Sequence, residues 1–127
     1  MKKVYFLLIS IFILSCSQND DTAEKNTLIR VKNVSQFEFK DVLVNTSGGE
    51  QNFGNIDINR DSDYKSFDFA YHYAFIELKI DGNTFTLQPI DYVGETKLDN
   101  GKYTYEVNAT DNGSQYSRLT LTLIKDQ

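Results

Sequence analysis

A chain of 127 residues with 40% hydrophobic and 13% aromatic side chains suits one domain that buries its own core, and is too short for two. Its formal net charge of −5 argues against a nucleic-acid partner, because no Lys/Arg cluster beyond Lys2-Lys3 is present to neutralise phosphates. Its single cysteine excludes an internal disulfide, a thiolate metal cluster and a Cys/His catalytic pair within the folded part.

In chain order, Met1-Lys2-Lys3 forms a positive start and residues 4–14 an apolar run. That run is too short to cross a hydrocarbon core of about 30 Å as a helix, and it has the length of a cleavable secretory signal. Ile13-Leu14-Ser15 then precedes Cys16, with an aliphatic residue at minus three and a small one at minus one. This pattern resembles the lipobox of bacterial lipoproteins. The resemblance implies cleavage before Cys16 and acylation of its thiol and new amino terminus. Each buried methylene contributes about 0.8 kcal/mol, so several acyl chains anchor stably where one is marginal. Without acylation, the same residues read as an ordinary signal with an incidental cysteine. Cleavage removes Lys2 and Lys3 and takes the net charge from −5 to −7.

Ser17-Gln18-Asn19-Asp20-Asp21 follows the cysteine and resembles the surface-export signal of lipoproteins from Bacteroidetes-type bacteria. That likeness implies display on the outer face of a Gram-negative outer membrane, whereas composition alone reads as a solvated tether. Asp21-Thr22-Ala23 resembles the O-glycosylation acceptor of the same bacteria, which would put a glycan on Thr22. The expected organisation is therefore a signal over 1–15, a tether over 16–27 and a folded domain over 28–127.

From residue 28 onward the apolar pattern has period two, broken by turn residues, as in an all-β sandwich or barrel. Strands are expected over 28–34 and 39–45, then a loop at Ser47-Gly48-Gly49, with weaker strands over 52–58 and 64–71. Phe67, Phe69, Tyr71, Tyr73 and Phe75 occupy odd positions, whereas Ile76, Leu78 and Ile80 are even. A one-residue slip exchanges the two faces of a strand, so the chain must bulge, turn or change sheets near 72–75. Asp81-Gly82 between alternating runs predicts a hairpin over 75–88, and Asp111-Asn112-Gly113-Ser114 predicts another between 103–109 and 119–123.

Leu98-Asp99-Asn100-Gly101-Lys102-Tyr103 resembles the tyrosine corner of immunoglobulin-like and transthyretin-like sandwiches, although Asn100 stands where Pro is usual. The resemblance implies a bond from the Tyr103 hydroxyl to upstream backbone. The lack of Trp and of a cysteine pair excludes an antibody-type domain. The expected fold is an Ig-like β-sandwich of seven to eight antiparallel strands.

Four features carry candidate chemistry. Asp57, Asn59, Asp61 and Asp68 stand at positions 1, 3, 5 and 12 of a twelve-residue stretch that resembles an EF-hand or dockerin loop, and calcium is the one cofactor it would take. Ser62 replaces the glycine of such loops, Asp68 replaces the bidentate Glu, and the flanks alternate like strands, so an acidic turn is the competing reading. His72 has no triad partner deducible from spacing. Tyr71 and Tyr73, within the aromatic stripe, could stack on a sugar, although aromatic residues at period two ordinarily build core. Asp91, Tyr92 and Glu95 lie on a loop around Gly94 and form the first candidate for partner contact.

The leading expectation is a non-catalytic binding or accessory domain held to the membrane through Cys16, with an envelope protein or glycan as partner. The alternatives are a small hydrolase of glycan or peptidoglycan using Asp91 and Glu95 as its carboxyl pair, or a purely structural surface protein.

Overall fold

The computed structural model describes residues 27–127. The expected signal, Cys16 and Thr22 lie outside the described residues. The first described strand opens at Thr27, one residue before the strand expected from 28, and Thr27 is buried.

Eight strands follow: β1 (Thr27–Asn33), β2 (Phe39–Asn45), β3 (Glu50–Ile56), β4 (Lys65–Phe67), β5 (Phe75–Ile80), β6 (Asn83–Leu87), β7 (Gly101–Ala109) and β8 (Leu119–Lys125). They form two four-stranded sheets in the orders β4-β1-β7-β8 and β3-β2-β5-β6, an all-β sandwich. Alternation drives the assembly. In β1, Ile29 and Val31 point inward while Arg30 and Lys32 point out, and β7 presents Tyr105 and Val107 beside them. Val42, Val44, Ile76 and Leu78 of the other sheet complete one apolar cluster. Each such side chain contributes about 1.5–3 kcal/mol on full burial.

The expectation of purely antiparallel strands needs correction. β1 and β7 run parallel, from Thr27↔Gly101 to Asn33↔Val107. Parallel neighbours require a long crossover, and here the chain between them visits the opposite sheet twice.

The β5–β6 hairpin forms as expected, with Asp81 and Gly82 both at positive φ (51° and 80°), as its two-residue turn demands. The β7–β8 hairpin also forms, but residues 110–118 replace a tight turn. The Thr86 amide of β6 donates to the Gln115 carbonyl at 2.8 Å, which draws this loop over the neighbouring sheet.

β4 is much shorter than the expected strand over 64–71. Beyond Phe67 the Asp68 amide donates to the Gly48 carbonyl at 2.9 Å, and the Thr46 hydroxyl donates to the Phe69 carbonyl at 2.8 Å. These bonds carry the chain out of one sheet toward the other. The change of apolar parity therefore marks a sheet crossing between β4 and β5. The tyrosine corner is present, with the Tyr103 hydroxyl donating to the Asp99 carbonyl at 2.7 Å.

Candidate binding groove

Residues 88–100 connect β6 to β7 across the two sheets. The loop shapes itself locally: the Asp91 carboxylate accepts the Val93 amide at 3.0 Å, and the Tyr92 carbonyl accepts the Glu95 amide at 3.0 Å, with Gly94 at φ 79°. Three longer-range contacts fasten it. The Tyr92 ring stacks on Tyr71 with centroids 4.5 Å apart and planes at 16°. The Lys97 ammonium sits 4.0 Å from the centre of the Phe69 ring, and the Leu98 amide donates to the Ala70 carbonyl at 2.8 Å.

Beneath these contacts the fully buried Tyr105 donates its hydroxyl to the Tyr71 carbonyl at 2.7 Å. Burial pushes the Tyr105 phenol far up, and the nearby Tyr92 adds to the effect. Burial also raises the Tyr92 phenol. Its hydroxyl makes no hydrogen bond of good geometry with the described residues, although the Phe75 backbone lies close enough to oppose that rise.

Between this loop and the first residues of β8 lies a groove of about 570 Å³. Leu87, Pro89, Ile90, Leu119 and Leu121 give it an apolar lining, with Tyr73, Asp91 and Glu95 beside them. Its rim is unusually apolar for surface, since Ile90 is 100% exposed and Tyr73 50%, while Val93 on the same loop is 87% exposed.

Of the residues expected to meet a partner, Tyr73, Asp91 and Glu95 come together at this groove. Tyr71 and Tyr92 do not join them as free rings. Tyr71 is buried and the two stack on each other, so the expected ligand platform is instead the mount for the loop. His72 is exposed in the crossing segment. Leu119 and Leu121 were legible only as core-facing strand residues, because nothing local marks which end of a strand borders a groove.

The expected calcium loop does not close. Asp57 begins a turn at one end of β3, where its carbonyl accepts the Arg60 amide at 3.1 Å. Asp68 is tied through its amide to Gly48, beyond the other end of that seven-residue strand. At about 3.3 Å per residue, the first and last expected ligands are separated by the length of β3. Asp61 is instead paired with Arg30 at 3.5 Å, and Asn59 is held at φ 61°. Among the described residues no three His, Cys, Asp or Glu side chains converge as a metal would require.

A polar cluster that the sequence did not reveal lies on the β1–β7 sheet. The Asp126 carboxylate accepts the Tyr64 and Thr104 hydroxyls, each at 2.6 Å, and Arg30 Nε lies 3.7 Å away. Partial burial pushes the Asp126 carboxyl up, but the two hydroxyls, Arg30 and Lys102 together hold it below its ordinary value. The hydrogen bond to Asp126 is in turn the largest influence raising the Tyr64 phenol. The cluster fastens Asp126, just past β8, and Tyr64 to β1 and β7.

No family model matches the sequence, and no curated protein matches it. An NMR structure of a protein from Eubacterium rectale is similar, with a TM-score of 0.49 and 19% sequence identity, covering 80% of this chain and 88% of that one.

Proposed function

We propose that this chain is a lipid-anchored protein of a Gram-negative cell envelope, attached to the outer membrane through acyl chains on Cys16, whose sandwich is a non-catalytic module that binds an envelope polypeptide. The lipobox-like residues before Cys16 and the acidic run after it support the address. The observation that carries the binding role is the apolar groove with Ile90 and Tyr73 left in solvent at its rim. Isolated exposed apolar residues are ordinary, but a cluster around a concavity is characteristic of an interaction site. Sugars favour broad aromatic faces with dense hydrogen bonding, whereas Leu, Ile and Pro walls favour aliphatic side chains of a peptide. Asp91 and Glu95 at the rim add electrostatic preference for a basic residue beside them.

One experiment addresses both halves. A photoreactive phenylalanine derivative in place of Tyr73 should cross-link one envelope protein in living cells, and the same group in place of Asp41, on the outer face near Lys79, should not. Equal labelling from both positions, or none from Tyr73, removes the groove. In the same cells, palmitate labelling is lost in Cys16→Ala; labelling that persists removes the anchor. The two carboxylates lining one groove also keep a hydrolase as second reading. Turnover of glycan or peptidoglycan abolished by Asp91→Asn or Glu95→Gln would transfer the assignment to it.

A further inference from the structure

The two sheets have four edge strands, and three of them are closed to strand addition. β3 pairs with β2 through two register shifts, β4 has three residues, and the β6 edge is occupied where Thr86 donates to Gln115. Bulging, shortening and covering are the ordinary ways of blunting an edge. β8 has none of these. It runs seven residues in unbroken register, from Tyr103↔Lys125 to Ala109↔Leu119, with no proline and Lys125 as its one charge.

The hydrogen-bond phase tells which groups β8 offers. The Thr110 amide donates to the Arg118 carbonyl at 3.0 Å, and the Asp126 amide donates to the Lys102 carbonyl at 2.8 Å. Even-numbered residues of this strand therefore turn their amides and carbonyls toward β7. In an antiparallel ladder the odd residues then turn theirs the other way. The backbone groups of Leu119, Leu121 and Leu123 face the free edge, and no described residue's backbone pairs with them.

We infer that β8 pairs with β8 of a second copy of this chain, antiparallel about a two-fold axis at Leu121. The strand is self-complementary for this: Leu119-Thr120-Leu121-Thr122-Leu123 reads the same in both directions. Leu121 meets its own copy, Leu119 meets Leu123 and Thr120 meets Thr122. Leucines thus stay on the core side and threonines on the outer face, and Lys125 opposes Ser117 rather than a like charge. The axis satisfies the requirement of an isologous contact, in which one patch serves both partners. Leu119 and Leu121 also line the groove, so a second copy paired on this edge competes with the polypeptide proposed there; the inference itself rests on the free edge and not on that partner.

Sedimentation of residues 17–127, which hold every described strand and the whole apolar cluster, should show a monomer–dimer equilibrium between micromolar and millimolar concentration. Thr120 and Thr122 are exposed, so charges there leave the core alone. Thr120→Lys with Thr122→Lys sets like charges across the axis and should return the protein to monomer with its melting temperature retained. Thr120→Lys with Thr122→Glu sets opposite charges across the axis and should restore the dimer. A monomer at every concentration overturns the inference. So does a dimer that survives the double lysine variant, or one that the charge-reversed pair fails to restore.

Discussion

Removing one oxygen from Tyr105 tests the link between the core and the loop that carries the groove. In Tyr105→Phe the ring still fills its place, but the Tyr71 carbonyl loses the donor it holds at 2.7 Å. A buried acceptor left unsatisfied costs about 1–3 kcal/mol, more than the net value of an ordinary hydrogen bond, about 0.5–1.5 kcal/mol. In Tyr103→Phe the acceptor, the Asp99 carbonyl, belongs to an exposed residue that water can reach, so the lower range applies. At about 4–8 °C per kcal/mol for a domain near this size, Tyr105→Phe should lower Tm by roughly 5–20 °C and Tyr103→Phe by less. Urea and thermal unfolding followed by circular dichroism measure both. The pH dependence supplies a second signature. Burial raises the Tyr105 phenol in the folded state, whereas in the unfolded chain it ionises near pH 10, by its ordinary value. Stability present below about pH 10 is therefore lost above it, and Tyr105→Phe is spared that loss. The gap between wild type and variant should narrow as pH rises through about 10 to 11. A Tyr105→Phe protein as stable as wild type, or a smaller effect than Tyr103→Phe, refutes the reasoning; so does a gap unchanged by alkali.

Two further outcomes follow from the same geometry. The Asp126 carboxyl is held below its ordinary value, so it contributes stability above about pH 4 that is lost as pH falls through its folded value; Asp126→Asn should lower the urea midpoint at neutral pH and make the acid limb shallower. An acid limb identical to that of wild type would show that the Thr104 and Tyr64 bonds do not favour the carboxylate. In Gly48→Ala, the new Cβ would stand 2.2 Å from the Phe69 carbonyl oxygen and 2.6 Å from its amide nitrogen. Backbone atoms cannot swing aside, so a destabilisation of about 1–3 kcal/mol is expected in urea unfolding, and a neutral result would mean that the sheet crossing at 68–70 yields freely.

The parts of this fold that were legible in the sequence are those set by local rules. Asp81-Gly82 specifies its turn through two positive φ values, and in β1 the inward Ile29 and Val31 alternate with Arg30 and Lys32 as a half-buried strand requires. The parity change between Phe67 and Ile76 announced a bulge, a turn or a change of sheet, and the structure makes it a change of sheet. What stayed hidden depends on distant partners. The side chains of β1 alternate identically whether β7 runs with it or against it, so the parallel pair leaves no trace in either segment. β4 stops at Phe67 because Thr46 and Gly48, from another strand connection, capture the backbone of residues 68 and 69. Asp91 and Glu95 could be picked as loop carboxylates and Tyr73 as an aromatic near the crossing. Tyr71 misled because the residue that covers it, Tyr92, lies 21 positions on and belongs to the loop itself.

That covering explains why a thirteen-residue connection can bear a defined groove. Loops of this length without secondary structure are ordinarily mobile unless something ties them. Here the Tyr105 hydroxyl fixes the Tyr71 backbone, the Tyr71 ring carries Tyr92, and Tyr92 sits beside Asp91 at the groove. An aromatic pair contributes about 0.5–1.5 kcal/mol beyond its buried area, and the Lys97–Phe69 contact adds a similar amount. Each is small beside the energy of the core, yet together they oppose the ordering cost that a partner would otherwise meet on binding, about 0.5–1.5 kcal/mol for each immobilised side chain. For the partner proposed at the groove, Phe69 and Tyr71 of the aromatic stripe act through the loop they hold: loosening Tyr71 should weaken its binding even though Tyr73, Ile90, Asp91 and Glu95 remain in place.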